Sequence, residues 1–207
     1  MKMFNVLLLS FAFLPVSLIA AENSDRGATN FRNYNCTSCH GPKGQFPILS
    51  HYPKLSGQPK EYLVQQLKDF RAGTRAHGTS KIMTSIARSI PESEFEDLAA
   101  YLAGLSTVAS DAAGSSSGVN PGATSPGAQA FVARNCHTCH GEAGRVPVAP
   151  NYPVLAGQNP KYLLTQMLAI KSGERANGMS MVMKAMIAEV PENDFKDIAE
   201  YLHSAKK

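Results

Sequence analysis

Cys36-Thr37-Ser38-Cys39-His40 and Cys136-His137-Thr138-Cys139-His140 decide how this 207-residue chain is read, and they hold all four of its cysteines. The two stretches stand 100 residues apart, and the same shift aligns residues 27–102 with 127–202 without a gap. Across that alignment 31 of 76 positions are identical. Pro53, Leu55, Gly57 and Gln58 fall on Pro153, Leu155, Gly157 and Gln158, while Arg75, Met83, Pro91, Phe95 and Tyr101 fall on Arg175, Met183, Pro191, Phe195 and Tyr201. The chain is a tandem duplication of one unit.

Each pentapeptide fits C-x-x-C-H, the attachment signature of c-type haem. Two cysteines one helical turn apart can each form a thioether to one porphyrin edge, and the adjacent histidine then lies beneath the ring. Three rivals fit less well. A disulfide framework adds little to a helical unit with one close cysteine pair. A thioredoxin-type pair lacks its strand–helix context, and zinc wants four ligands where each unit has three in a cramped row. One covalent haem c per unit is expected, two per chain, through Cys36 and Cys39 and through Cys136 and Cys139. His40 and His140 are the expected iron ligands.

The sixth ligand follows from the register. The first unit has a single Met beyond the N-terminal segment, Met83, lying 43 residues past His40. Of the five in the second unit, only Met183 stands 43 residues past His140. Met167, Met179, Met181 and Met186 read as flexible core filler. His77 matches Asn177, so a histidine ligand there is disfavoured, and His51, His137 and His203 read as surface residues. A thioether favours ferrous iron and raises the reduction potential. It also fills the second axial position, so the iron can pass electrons without offering a site to oxygen or peroxide.

The rest of the chain reads as helical. Phe95, Leu98, Ala99, Leu102 and Leu105 form an apolar stripe, opened by Pro91 with Glu92 and Glu94 in the first turn. Residues 60–70 place Tyr62, Leu63, Gln66, Leu67 and Phe70 on one face, with Gly73 just beyond. A shorter helix runs from Asp25 into the first Cys, and residues 41–58 form a Gly/Pro-rich loop. Strand signals are nearly absent.

Residues 1–21 carry one early Lys, a short apolar stretch and a small-residue end, which read as a cleavable secretory signal peptide. The rival is a retained membrane anchor, disfavoured by length and by Pro15. Residues 22–105 and 127–207 form two domains, joined by a Ser/Gly/Ala/Pro-rich linker over 106–126 that spans on the order of 25 Å as a flexible coil and does not fix their orientation. A hydrophobic content of 43% excludes global disorder. A net charge of +4, with no basic run longer than Lys206-Lys207, excludes a phosphate-gripping nucleic-acid protein.

On C-x-x-C-H-G at 36–41 and 136–141, P-x-L-x-G-Q at 53–58 and 153–158, Y-L-x-x-Q at 62–66 and 162–166, and G-x-R at 73–75 and 173–175, the chain resembles the dihaem cytochrome c4 family. The resemblance covers both units and implies an all-α fold of two tandem class I cytochrome c domains. It implies that the carbonyls of Pro53 and Pro153 accept from Nδ1 of His40 and His140, orienting each ring and strengthening it as a donor. Leu55 and Leu155 are expected to pack against the porphyrin. Gly27 with Phe31, and Gly127 with Phe131, are expected to meet Tyr101 and Tyr201 where first and last helices cross. Arg75 and Arg175 suit a haem-propionate contact, against the alternative of a solvated helix end. The family packs its domains through a polar interface, which the linker here puts in question.

The expected function is that of a periplasmic electron carrier between a quinol-oxidising complex and a terminal oxidase or reductase, not an enzyme. The alternative is a dihaem cytochrome subunit of a dehydrogenase such as a flavocytochrome. A dihaem peroxidase is disfavoured by the matched Met83 and Met183. The expected partners are redox proteins, with no nucleic acid, and with membranes met only through partners or an uncleaved N-terminal segment.

Overall fold

Two asparagines set how each haem-motif helix leaves its predecessor. The computed structural model describes residues 16–105 and 124–205; most of the predicted leader and linker lies outside them. Helix α1 (Val16–Asn33) begins earlier than the sequence suggested and stops short of the first cysteine. Asn35 then turns left-handed at φ 56°, as does Asn135 at φ 57°, a conformation that asparagine tolerates better than most residues. The reversal lets Cys36 N–H bond Phe31 O at 3.1 Å and starts the one-turn helix α2 (Thr37–His40).

The remaining helices of the first unit are α3 (Lys60–Ala72), α4 (Ser80–Ser89) and α5 (Phe95–Gly104). Gly73 ends α3 in the left-handed conformation, its N–H bonding Phe70 O. Helix α4 was not anticipated, although Ile82, Met83, Ile86, Ala87 and Ile90 carry its spacing. The second unit repeats the order with α6 (Pro126–Ala133), α7 (His137–His140), α8 (Pro160–Ser172), α9 (Ser180–Ile187) and α10 (Glu192–Ser204). Ser125 caps α6 by accepting from Ala128 N–H, and Pro126 occupies the first turn, so the end of the linker composition is already helix. No strand occurs among the described residues.

First and last helices of each unit cross where a glycine permits it. A Cβ on Gly27 would lie 2.0 Å from Asp97 O, and one on Gly127 would lie 1.9 Å from Asp197 O. One turn on, the rings of Phe31 and Tyr101 pack at 5.8 Å between centroids, as do Phe131 and Tyr201. Two separate cores result, one around Phe31, Leu63, Phe95, Leu98 and Leu102, the other around Phe131, Leu163, Ile170, Phe195 and Leu202. Met167 joins the second core, as expected of a filler. Met179, Met181 and Met186 do not. They are 40–54% exposed, because α9 turns only Ser180 and Ile187 fully inward.

The expectation that the linker leaves the domains unoriented is corrected by the structure. The two units meet through reciprocal side-chain-to-backbone and side-chain-to-side-chain hydrogen bonds. Side chains identical in both repeats make a self-complementary surface, and its bonds do not depend on how stiff the connection is.

Candidate functional site

The geometry of each motif follows from its one-turn helix. His40 N–H bonds Cys36 O at 2.9 Å and His140 N–H bonds Cys136 O at 3.0 Å, which sets cysteines and histidine around a single turn. Gly41 then adopts φ 73°, and a Cβ there would fall 2.0 Å from Phe46 O; Gly141 is held in the same way by Val146. All four cysteines are unpaired and partly buried. Burial pushes the Cys36 and Cys136 thiols up to about 11. That is the reverse of the depressed thiol that a thiol–disulfide exchanger needs.

His40 Nδ1 lies 3.0 Å from Pro53 O and His140 Nδ1 lies 3.2 Å from Pro153 O. A carbonyl can only accept, so each Nδ1 carries the proton and Nε2 is the free lone pair. Burial lowers both imidazoles' pKa against the opposing pull of the carbonyl. Leu55 and Leu155 are partly buried against the two cores, each with its N–H on the carbonyl of Gly44 or Gly144. Met83 and Met183 occupy equivalent half-buried positions in the first turn of α4 and α9. Among the described residues no group of three or more His, Cys and carboxylate side chains is arranged to hold a metal ion.

Arg75 and Arg175 are not at a solvated helix end. They are 4% and 7% exposed and lie together in the domain interface. Arg75 donates to Gln66 at 2.6 Å, Tyr162 at 2.9 Å and Gln166 at 3.1 Å. Arg175 donates to Gln166 at 2.9 Å and Gln66 at 3.4 Å. Burial, and then the neighbouring Arg75, lower the pKa of Arg175. His77 is buried beside them, and burial followed by the two arginines pushes it down to about 4. Its counterpart Asn177 donates to Asp69 at 2.5 Å and to Gln66 at 3.2 Å.

These surroundings fit a haem. Arg75 Nε and His77 Nδ1 are buried and find no hydrogen-bond partner among the described residues, and a buried cationic donor without an acceptor suits a carboxylate such as a propionate. The carboxylate of Asp69 is engaged elsewhere, by Asn177 and by Gln65 at 2.8 Å.

The interface residues Gln58, Gln66, Tyr62 and their partners in the second repeat carried a signal, since all are identical between repeats, but nothing local assigned them a role. Gln58 donates to Val154 O at 2.8 Å and accepts from Val154 N–H at 3.0 Å. Gln158 mirrors this, donating to Lys54 O at 2.9 Å and accepting from Lys54 N–H at 2.8 Å.

Among the described residues no helix is long and apolar enough to cross a membrane. The Cytochrome c family model matches residues 24–106 and again 124–206. Cytochrome c4 of Azotobacter vinelandii is 30% identical over 91% of this chain and 93% of its own length. A thiosulfate dehydrogenase electron acceptor of Stutzerimonas stutzeri is 31% identical over 85% of this chain and 81% of its own. The crystal structure of reduced cytochrome c4 from Pseudomonas stutzeri superposes with a TM-score of 0.71 at 25% identity, covering 88% of this chain and 98% of that one. With two matched cytochrome c domains, two attachment motifs and relatives aligned almost end to end, the chain belongs to the dihaem cytochrome c4 family, electron carriers with two covalently bound haem c groups.

Proposed function

We propose that the protein is a periplasmic electron carrier that takes electrons from a quinol-oxidising complex and delivers them to a terminal oxidase or reductase. Residues 1–21 serve as its export signal, 22–105 and 127–207 as its two electron-carrying domains, and 106–126 as their connection. The observation that carries this reading is the matched His40/Met83 and His140/Met183 sets, one in each repeat at the same register. The haem irons supply the one-electron chemistry. Cys36, Cys39, Cys136 and Cys139 tether the groups. His40 and His140 would hold the irons through Nε2, each ring fixed in tautomer and direction by Pro53 or Pro153. Met83 and Met183 would supply the remaining iron ligand of each centre, which would leave small oxidants no open position. Leu55 and Leu155 exclude water, and Arg75 and Arg175 bring their buried charge to the propionates.

An anaerobic redox titration followed by carbon monoxide tests the reading. Two low-spin haems that ignore carbon monoxide in the reduced protein are expected; one haem that binds it stoichiometrically overturns the pure carrier.

The second reading is an electron-accepting subunit of a dehydrogenase, favoured by the similarity to a thiosulfate dehydrogenase electron acceptor. Stoichiometric co-purification with a dehydrogenase from the native source distinguishes it.

A further inference from the structure

Pro53 C=O and Lys54 N–H belong to one peptide group, and that group is shared between the two domains. Its oxygen accepts from His40 Nδ1 at 3.0 Å, while its N–H donates across the interface to Gln158 Oε1 at 2.8 Å. The mirror chain runs from His140 Nδ1 to Pro153 O at 3.2 Å, and from Val154 N–H to Gln58 Oε1 at 3.0 Å. Both glutamines are buried, at 4% and 3% exposure. Gln158 is braced further, its Oε1 also accepting from Asn159 N–H and its carbonyl holding His203 Nδ1.

An amide whose N–H is engaged is polarised, and its carbonyl oxygen becomes a stronger acceptor; in a low-dielectric interior such chains reinforce one another. A stronger acceptor at Nδ1 makes the imidazole a more electron-rich ligand, and the hydrogen-bond partners of a metal-bound histidine tune the metal in this way. An electron-rich ligand stabilises ferric over ferrous iron and lowers the reduction potential. We propose that each domain's glutamine is a positioning residue for the other domain's haem centre, Gln158 acting on the first iron and Gln58 on the second. The proposal rests on the reading of His40 and His140 as iron ligands.

The two chains are unequal. The loop on either side of His40's acceptor is also held by Lys54 Nζ on Gly157 O at 2.7 Å and by Asn159 Nδ2 on Tyr52 O at 2.7 Å. Val154 has no amine, and position 59 is a proline, so neither bond can form in the mirror sense. The first chain is also the shorter at both links, 3.0 and 2.8 Å against 3.2 and 3.0 Å, so the first centre responds more strongly to its opposite glutamine.

The test uses the intact dihaem protein and its Gln158→Leu, Gln158→Glu and Gln58→Leu variants. Each haem's potential is followed through its own NMR signals during a redox titration, together with the Nδ1–H resonances of His40 and His140 in the reduced state. Gln158→Leu should raise the first haem's potential and shift the His40 Nδ1–H resonance upfield, with a smaller change at the second centre. Gln158→Glu, whose carboxylate is a stronger acceptor for Lys54 N–H, should move the His40 resonance the opposite way. Gln58→Leu should mirror the first result at the second centre, with a smaller shift. Equal movement of both haems, movement of the haem in the glutamine's own domain alone, or a His40 resonance unmoved by either Gln158 variant overturns the proposal. If the His40 ring protons of the reduced, unaltered protein carry no large haem ring-current shift, the ligand reading itself fails, and the proposal with it.

Discussion

Arg75 of the first domain donates from Nη2 to Tyr162 Oη of the second at 2.9 Å, while its Nη1 holds Gln66 of its own domain at 2.6 Å. One guanidinium thus ties a buried polar surface together across 87 residues of sequence. Truncating it removes the bond to Tyr162 and leaves Arg175 as the one arginine holding both glutamines. Arg75→Met should cost on the order of 2–3 kcal/mol of domain docking. Small-angle scattering of the holoprotein should show an enlarged radius of gyration, with both haems still attached. Tyr162→Phe, which removes one bond, should cost only about 1 kcal/mol and leave the envelope unchanged.

Met83→Ala should open the first iron, turning that haem from low-spin to a form that binds carbon monoxide and lowering its potential. Met183→Ala should do the same at the second centre. The optical spectrum and a redox titration check both. An unchanged spectrum for Met83→Ala would show that another side chain provides the ligand.

The helix crossing at Gly27 has no room for a methyl group, since a Cβ would sit 2.0 Å from Asp97 O and 2.6 Å from Tyr101 Cβ. Both are backbone or backbone-proximal atoms that cannot swing aside. Gly27→Ala should therefore destabilise the first domain by about 1–3 kcal/mol. Gly127→Ala should do the same to the second, by thermal unfolding.

Phe95 and Phe195 are each buried to within 1% at the centre of their own core. Because the two cores are separate clusters, Phe95→Ala should remove about 3–5 kcal/mol from the first domain alone. Calorimetry should then resolve one early transition and one near its original temperature. A single shifted transition would show that the interface couples the domains more tightly than their cores suggest.

Much of this arrangement is legible along the chain. The C-x-x-C-H pentapeptides and the apolar stripe at 95–105 are local patterns, and a helix over residues 60–70 follows from spacing and Gly73, two residues short of its observed end at Ala72. Helix α4, only ten residues long, was not anticipated although its apolar spacing and a capping residue type at Thr79 were both present. The exposed Met179, Met181 and Met186 were read as filler because composition does not say which face of a helix a neighbour covers. Gln58 and Gln158 end the P-x-L-x-G-Q motif, yet nothing along the chain marks their role, since each one's partner is a peptide in the other repeat.

The sequence by itself determined the cofactor chemistry and its number, because covalent attachment and a neighbouring ligand need only a few consecutive residues, and duplication shows them twice. Only the tertiary structure decided the relation between the domains. The linker's composition pointed to freedom, but orientation is set by whether two surfaces satisfy each other's buried donors and acceptors. That complementarity belongs to pairs such as Lys54 with Gln158 and Arg75 with Tyr162, 104 and 87 residues apart. Those pairs exist only once the halves have folded and met.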